Sequence, residues 1–184
     1  MSHRVCPPWV GYFLLNPLRR LFENPEKILG PFVREGMIVL EPGCGMGYFT
    51  LPLASMVGPK GRIVAAEIQE KMLSVLSRRA RKAGLLDRID LRHIGEKGYN
   101  FEDLSDQVDM AVAIHMVHEV PDRAVFFKAV WDTLKPGGKM FVLEPKGHVS
   151  QMEFEQTMAT AKQAGFRPEA LSVRDGSRKR LLIK

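Results

Sequence analysis

Val39-Leu40-Glu41-Pro42-Gly43-Cys44-Gly45-Met46-Gly47-Tyr48, residues 39–48, is an apolar strand that runs into a glycine-rich turn and then opens a helix. Glycine at three alternate positions admits positive φ and lets a ligand approach the backbone closely. A dinucleotide-binding turn carries glycine at its first, third and sixth positions. Here the glycines fall at the first, third and fifth, and Tyr48 holds the sixth. Glu41 stands at the mouth of the turn, where a carboxylate repels a pyrophosphate and favours a cationic ligand.

Downstream of this turn, apolar runs of strand length alternate with helical spacing, the pattern of a parallel sheet covered by helices. The runs predict strands at Met37–Leu40, Arg62–Ala66, Ile89–Ile94, Val108–Ile114 and Lys139–Leu143, nearly continuous in apolar residues as strands buried on both faces are. Helices are predicted at Tyr48–Val57, Gln69–Ala83 and Asp122–Leu134. In the second, Met72, Leu76, Ala80 and Ala83 form one face ahead of a Gly84 stop, and Arg78, Arg81 and Lys82 fall on the outer side. Lys135-Pro136-Gly137-Gly138 ends the third.

Ser150, with Glu153 three residues on, predicts a capping box and a helix to Ala164 that Gly165 stops. Two last strands, around Ala170–Val173 and Lys179–Ile183, flank the turn dipeptide Asp175-Gly176 and predict an antiparallel hairpin. The expected fold class is therefore α/β: a Rossmann-like, doubly wound sheet of seven strands, mostly parallel, with a C-terminal antiparallel hairpin and helices on both faces. Residues 1–35 differ in character. Asn16-Pro17 and Asn24-Pro25 each set a capping residue before a proline suited to the first helical position and predict two short helices. Residues 1–35 are expected to be a substrate lid and 36–184 the cofactor-binding part of one compact domain.

With 184 residues, 45% hydrophobic and 26% charged, the chain has the composition of a globular domain; disordered, collagen-like and coiled-coil classes are excluded. Its charge of +6, from 27 Lys+Arg against 21 Asp+Glu, allows an anionic partner and equally describes many enzymes. Cys6 and Cys44 are too few for a disulfide framework or a cysteine zinc site, and no metal site is expected. The apolar run Trp9–Leu15 is too short to span a membrane and lacks a signal-peptide cleavage pattern, so the expected location is cytoplasmic.

A cation with a nucleoside and no phosphate suits the 39–48 turn, and S-adenosylmethionine is such a ligand. The helix N-terminus would receive its carboxylate, Glu41 would face its positive groups, and Glu67, ending the second strand, would accept hydrogen bonds from the ribose hydroxyls.

The segments VLEPGCGMG (39–47), VAAEIQEKML (64–73), VDMAVAIHMVHEVPD (108–122) and LKPGGKMFVLEP (134–145) together resemble class I, Rossmann-like methyltransferases dependent on S-adenosylmethionine, in particular the small type-11 group akin to ubiquinone and menaquinone biosynthesis enzymes. The resemblance covers roughly residues 25–184. It implies that Gly43, Cys44, Gly45 and Gly47 form the turn under the methionine part, Glu67 binds the ribose and Ile68 packs on adenine. It also implies that Glu96 reads the adenine amino group, although Lys97 follows where a small residue is usual, and that His115 borders the sulfonium. The product would be S-adenosylhomocysteine.

Methyl transfer needs a general base only when the acceptor must lose a proton. His115, His118 and Glu119 follow the fourth strand, and His118 is the candidate base; a His-Glu pair opening a helix also serves as a cap. Trp9 and Tyr12, with Phe13 and Phe22, are candidates to wall a small-molecule acceptor, or else pack the short helices onto the sheet. Ile114-His115-Met116-Val117 lacks the Asn/Asp-Pro-Pro-aromatic motif of adenine N6-methylating families. Arg19-Arg20 beside Val10–Leu15 would suit contact with a lipid surface. An RNA-directed methyltransferase or RNA-binding protein using Arg78–Lys82 and Arg174–Lys184 is the alternative reading, and an NAD-dependent oxidoreductase, disfavoured by Tyr48 and Glu41, is a remote one.

Overall fold

The computed structural model describes residues 15–16, 18–95, 98–169 and 177–184. The chain divides between Gly98 and Tyr99 into two compact units.

In the first unit, two short helices precede the sheet: α1 (Arg19–Phe22) and α2 (Pro25–Leu29). The Asn24 cap forms as expected, whereas α1 starts at Arg19 with Leu18 at its N-cap and no side-chain cap, so Asn16 makes only a local turn before it. Asn16 Oδ1 accepts the Leu18 N–H at 2.9 Å, and Asn24 Oδ1 accepts that of Lys27 at 2.9 Å, with Pro25 in the first helical position. β1 (Ile38–Pro42), β2 (Arg62–Glu67) and β3 (Ile89–His93) follow, with α3 (Thr50–Met56) and α4 (Glu70–Lys82) between them. β1 pairs parallel with β2 and β2 with β3, in the register Val39–Ile63–Ile89. Val39, Leu40, Ile63 and Val64 are fully buried, which is why these runs carry no alternation.

α4 buries Met72, Leu73, Val75, Leu76 and Ala80 and leaves Arg78, Arg81 and Lys82 in solvent, as its spacing predicts. Each buried leucine or valine contributes about 2 kcal/mol. Gly84, at φ 67°, ends the helix: its N–H donates to Arg81 O at 3.1 Å and that of Leu85 to Ala80 O at 2.9 Å, the paired bonds of a Schellman stop.

The second unit holds β4 (Val108–Ile114), α5 (Arg123–Thr133), β5 (Leu134–Leu143), α6 (Gln151–Gln163), β6 (Arg167–Glu169) and β7 (Lys179–Ile183). Asp122 caps α5 by accepting the N–H groups of Ala124 and Val125, both at 3.0 Å. The capping box of α6 forms as expected, Ser150 accepting from Glu153 N–H and Glu153 from Ser150 N–H. Phe126, Phe127, Phe154 and Phe166 fill the core, and the Trp131 edge meets Phe166 at 5.1 Å.

β4 pairs parallel with β5, β5 antiparallel with β7, and β7 antiparallel with β6. The seven strands run in the order β3-β2-β1-β4-β5-β7-β6, the expected mixed Rossmann-like sheet.

Most boundaries shift by one or two residues, and the start of β5 differs most from the expectation. β5 begins at Leu134 because Lys135-Pro136-Gly137-Gly138 bulges between two paired segments: Leu134 pairs with Val108, and pairing resumes at Lys139 with Met110. The penultimate strand is paired over Arg167–Glu169, and the expected Ala170–Val173 lies outside the described residues. Gly165 turns the chain so sharply that Phe166 is already buried and pairing starts at once, Arg167 opposite Ile183. Residues 170–176, including Asp175-Gly176, lie outside the described residues. No helix of the described residues is long and apolar enough to cross a membrane.

Candidate functional site

The turn after β1 is built by its glycines. Gly43, Gly45 and Gly47 have φ of 68°, 55° and 83°, a left-handed region costly to side chains with Cβ. Gly43 and Cys44 donate their N–H groups to Ala66 O at 2.8 and 3.1 Å, binding the turn to the end of β2. A methyl on Gly47 would overlap Leu76 Cδ1 in the fully buried face of α4. The Arg79 guanidinium, half-buried on the same helix, donates to Met46 O. Tyr48, which breaks the dinucleotide pattern, donates its hydroxyl to Glu23 O at 2.7 Å beneath the Arg19 guanidinium, 4.1 Å from the ring centre.

Glu67 ends β2 with its carboxylate held by the turn itself. Oε2 accepts the Gly45 N–H at 2.9 Å and Oε1 the Gln69 N–H at 3.0 Å. The two backbone N–H groups fix the carboxylate against the turn. Ile68 follows with 37% of its surface exposed, an apolar side chain left in solvent beside that carboxylate.

Glu41 is 5% exposed, and among the described residues its Oε2 is buried without a hydrogen-bond partner, as is Thr50 Oγ1. Burial pushes the Glu41 carboxyl up to about 8; the nearby Thr50 hydroxyl opposes the rise and the Glu67 charge adds to it. A buried, unpaired carboxyl oxygen beside a second carboxylate suits an ammonium or sulfonium, and the donor set therefore fits a cationic nucleoside cofactor. The Cys44 thiol is buried and held well above its ordinary value by burial, with Glu41 and Glu67 adding, so it is not a nucleophile.

In the second unit, His115 follows β4 at φ 56°, rare for a side chain with Cβ, with its N–H donating to Leu143 O at 2.7 Å. A single 3-10 turn, Val117–Glu119, comes next. Glu144, just past the end of β5 and 3% exposed, reaches across to it. Its Oε1 accepts the N–H groups of Val117 and His118 at 2.8 and 3.3 Å, and its Oε2 lies 2.5 Å from His118 Nδ1. The hydrogen bond to Glu144 raises the His118 pKa, burial works against it, and the charges of Glu144 and Glu119 add to the rise.

The two units thus present the expected residues as two groups: Glu41, Gly43, Cys44, Gly45, Gly47, Glu67 and Ile68 in the first, and His115 and His118 in the second. Trp9, Tyr12 and Glu96 lie outside the described residues, and Phe22 is 92% exposed. Glu144 was not among the sequence candidates. Its signal was present: Leu143-Glu144-Pro145 repeats Leu40-Glu41-Pro42, a glutamate and proline closing an apolar strand at a second carboxyl edge.

A parallel sheet whose first turn joins positive-φ glycines to a strand-end carboxylate defines the α/β class that binds nucleoside cofactors. Within that class, residues 39–138 match the family model described as the methyltransferase domain, and the chain belongs to that family. It is 30% identical over 112 residues to the ubiquinone/menaquinone biosynthesis C-methyltransferase UbiE of Pasteurella multocida, covering 61% of this chain and 41% of the relative. The demethylmenaquinone methyltransferase of Lactobacillus johnsonii is also 30% identical, covering 61% and 45%. The chain spans less than half the length of these relatives. A SAM-dependent methyltransferase structure from Aquifex aeolicus superposes with a TM-score of 0.83 at 23% identity, over 97% of this chain and 98% of the other, and shares its fold.

Proposed function

We propose that the chain transfers the methyl group of S-adenosylmethionine to a small-molecule acceptor. The observation that carries this reading is the pair of buried carboxyls around the positive-φ turn, Glu67 fixed by Gly45 and Gln69, and Glu41 with an unpaired oxygen. Two carboxyls there favour a cation and oppose a pyrophosphate, which separates this cofactor from a dinucleotide.

When bound, S-adenosylmethionine supplies the methyl group together with a neutral thioether leaving group. The chain's own residues hold and orient. Gly43, Cys44, Gly45 and Gly47 give the methionine part a close backbone surface, Glu41 meets its positive charge, and Glu67 accepts from the ribose. Ile68 covers one adenine face, Glu96 reads the adenine edge, and His115 borders the methyl. Alignment of acceptor and methyl then provides most of the rate.

The names of the curated relatives make a quinone-related ring the first acceptor to try. Residues 1–35, with Trp9 and Tyr12, are the proposed acceptor-selecting lid over the remainder. A cytoplasmic location belongs to the same reading, supported by a chain with only two cysteines. Calorimetry with S-adenosylmethionine and S-adenosylhomocysteine tests it: both bind the wild type, Gly45→Arg abolishes binding and Glu67→Ala weakens it. Binding of NAD in place of either compound would overturn the reading.

A further inference from the structure

We propose that His118 and Glu144 form a proton-accepting pair, in which His118 Nε2 takes the proton of a phenolic acceptor and Glu144 positions the ring. This inference rests on the methyl-transfer reading above and assigns it an acceptor class.

The geometry fixes one tautomer. Glu144 receives two backbone N–H groups on Oε1, and its Oε2 stands 2.5 Å from His118 Nδ1. A carboxylate can only accept, so Nδ1 carries the hydrogen and the lone pair is on Nε2. Among the described residues Nε2 makes no hydrogen bond; Glu119 Oε1 is the near charge, at 3.9 Å. The histidine side chain is 21% exposed and the glutamate 2%, so the pair is anchored from below and open at the atom that would take a proton.

The other charged or titratable groups about the ring are Arg123, which opposes its protonation, His148, with ring centres 6.1 Å apart, and Glu153, whose carboxyl senses the His118 charge. Position agrees with use. Ile114 and Leu143 are paired at the ends of parallel strands, and His118 and Glu144 lie just past them. Ligands of open α/β sheets bind outside those carboxyl ends.

A base of this strength selects its acceptor. Phenols ionise near pH 10 and imidazole near 6.5, a gap of about three powers of ten that positioning can cover. An aliphatic alcohol is far beyond it, and a thioether has no proton to give. In the transfer, the phenolic O–H bond breaks and its proton goes to Nε2. The oxygen, or the ring carbon beside it, forms the bond to the methyl, and the S–CH3 pair stays on sulfur. For attack through carbon, the ring then loses its own C–H proton and regains the phenol. The sum is one acceptor hydrogen exchanged for methyl and one proton released.

A purely structural Glu144, capping the Val117–Glu119 turn, predicts different results. The test combines nitrogen-15 NMR of the His118 ring, assigned by its loss in His118→Gln, with single-turnover transfer of labelled methyl to reduced 1,4-naphthohydroquinone. The wild type should show protonated Nδ1 and a ring titrating above the ordinary histidine value. Glu144→Gln should lower that titration and carry the acid limb of the pH–rate profile with it to lower pH. His118→Gln should cost at least about a hundredfold in rate with little change in KM, and Glu144→Asp should recover part of the loss in Glu144→Gln. If Glu144→Gln does not fold, the wild-type tautomer and the His118→Gln rate decide. A lone pair on Nδ1, an unshifted acid limb, an undiminished His118→Gln rate, or no transfer to the hydroquinone overturns the proposal. Calorimetry separates the failures: loss of these signatures while S-adenosylhomocysteine binds refutes the pair alone, whereas absence of that binding refutes the methyl-transfer reading.

Discussion

Replacing Glu41 by glutamine should make the protein more stable and its cofactor site weaker, with a pH dependence that follows from burial. The folded carboxyl titrates at about 8, against 4.5 for the ordinary group. The folded state therefore holds a proton that the unfolded chain releases, and stability from this group is full below pH 4.5 and lost as pH rises toward 8. At pH 7 the loss is about 3 kcal/mol, levelling off near 5 kcal/mol above pH 8. Glu41→Gln is neutral at every pH and escapes it. Urea melts from pH 5 to pH 9 should show the variant's advantage growing by about 3 kcal/mol between pH 5 and pH 8, with unchanged denaturant slopes. Binding should move the other way. An ammonium or sulfonium beside Glu41 draws off its proton, so S-adenosylhomocysteine affinity rises about tenfold per pH unit below 8. At pH 7, calorimetry in two buffers of different ionisation heat should find close to one proton released by the wild type and none by the variant. A stability difference that stays flat with pH, or binding without proton release, would refute the assignment of Glu41 as a buried acid that ionises against its ligand.

Other consequences separate the parts of the fold. Gly47→Ala meets Leu76 at a φ of 83° and should cost about 3 kcal/mol by thermal melting, from strain and overpacking together. Gly45→Ala finds only Met72 Sδ at 3.8 Å and should cost about 1 kcal/mol, from strain alone. Equal losses at the two positions would contradict the packing assigned to Leu76. Ser150→Ala removes one half of the α6 capping box and should lower stability by about 1 kcal/mol in urea melts. His118, held above its ordinary value by Glu144, contributes stability that is full below pH 6.5 and lost as pH rises through its folded pKa. His118→Gln should therefore be less stable than wild type at pH 5.5 and converge on it at alkaline pH.

What the sequence made legible was whatever a local pattern encodes. Gly84 and Gly165 mark helix ends because a Schellman stop needs one left-handed residue, and Ser150 with Glu153 marks a start because both partners of the box lie within one turn. The placement of Glu67 was legible for a related reason: it closes an apolar strand, and the turn that holds it, Gly43 to Gly47, is itself a local motif. The early start of β5 was not legible, because the bulge at Lys135–Gly138 is settled by what a neighbouring strand offers for pairing, and no run of apolar residues records that. Glu144 is the clearest case. It stands 26 residues from His118, and only the parallel register of Ile114 with Leu143 brings the two together. Taken singly, His118 reads as a cap and Glu144 as a polar end to a strand. A carboxylate that spends Oε1 on two backbone N–H groups and turns Oε2 to an imidazole fixes a tautomer as well as a turn, and that second consequence is chemical. Strand ends of the form Leu-Glu-Pro, at 40–42 and 143–145, are thus worth comparing as a pair in such a sheet: each holds a buried glutamate, the second of them set against an imidazole that the chain itself supplies.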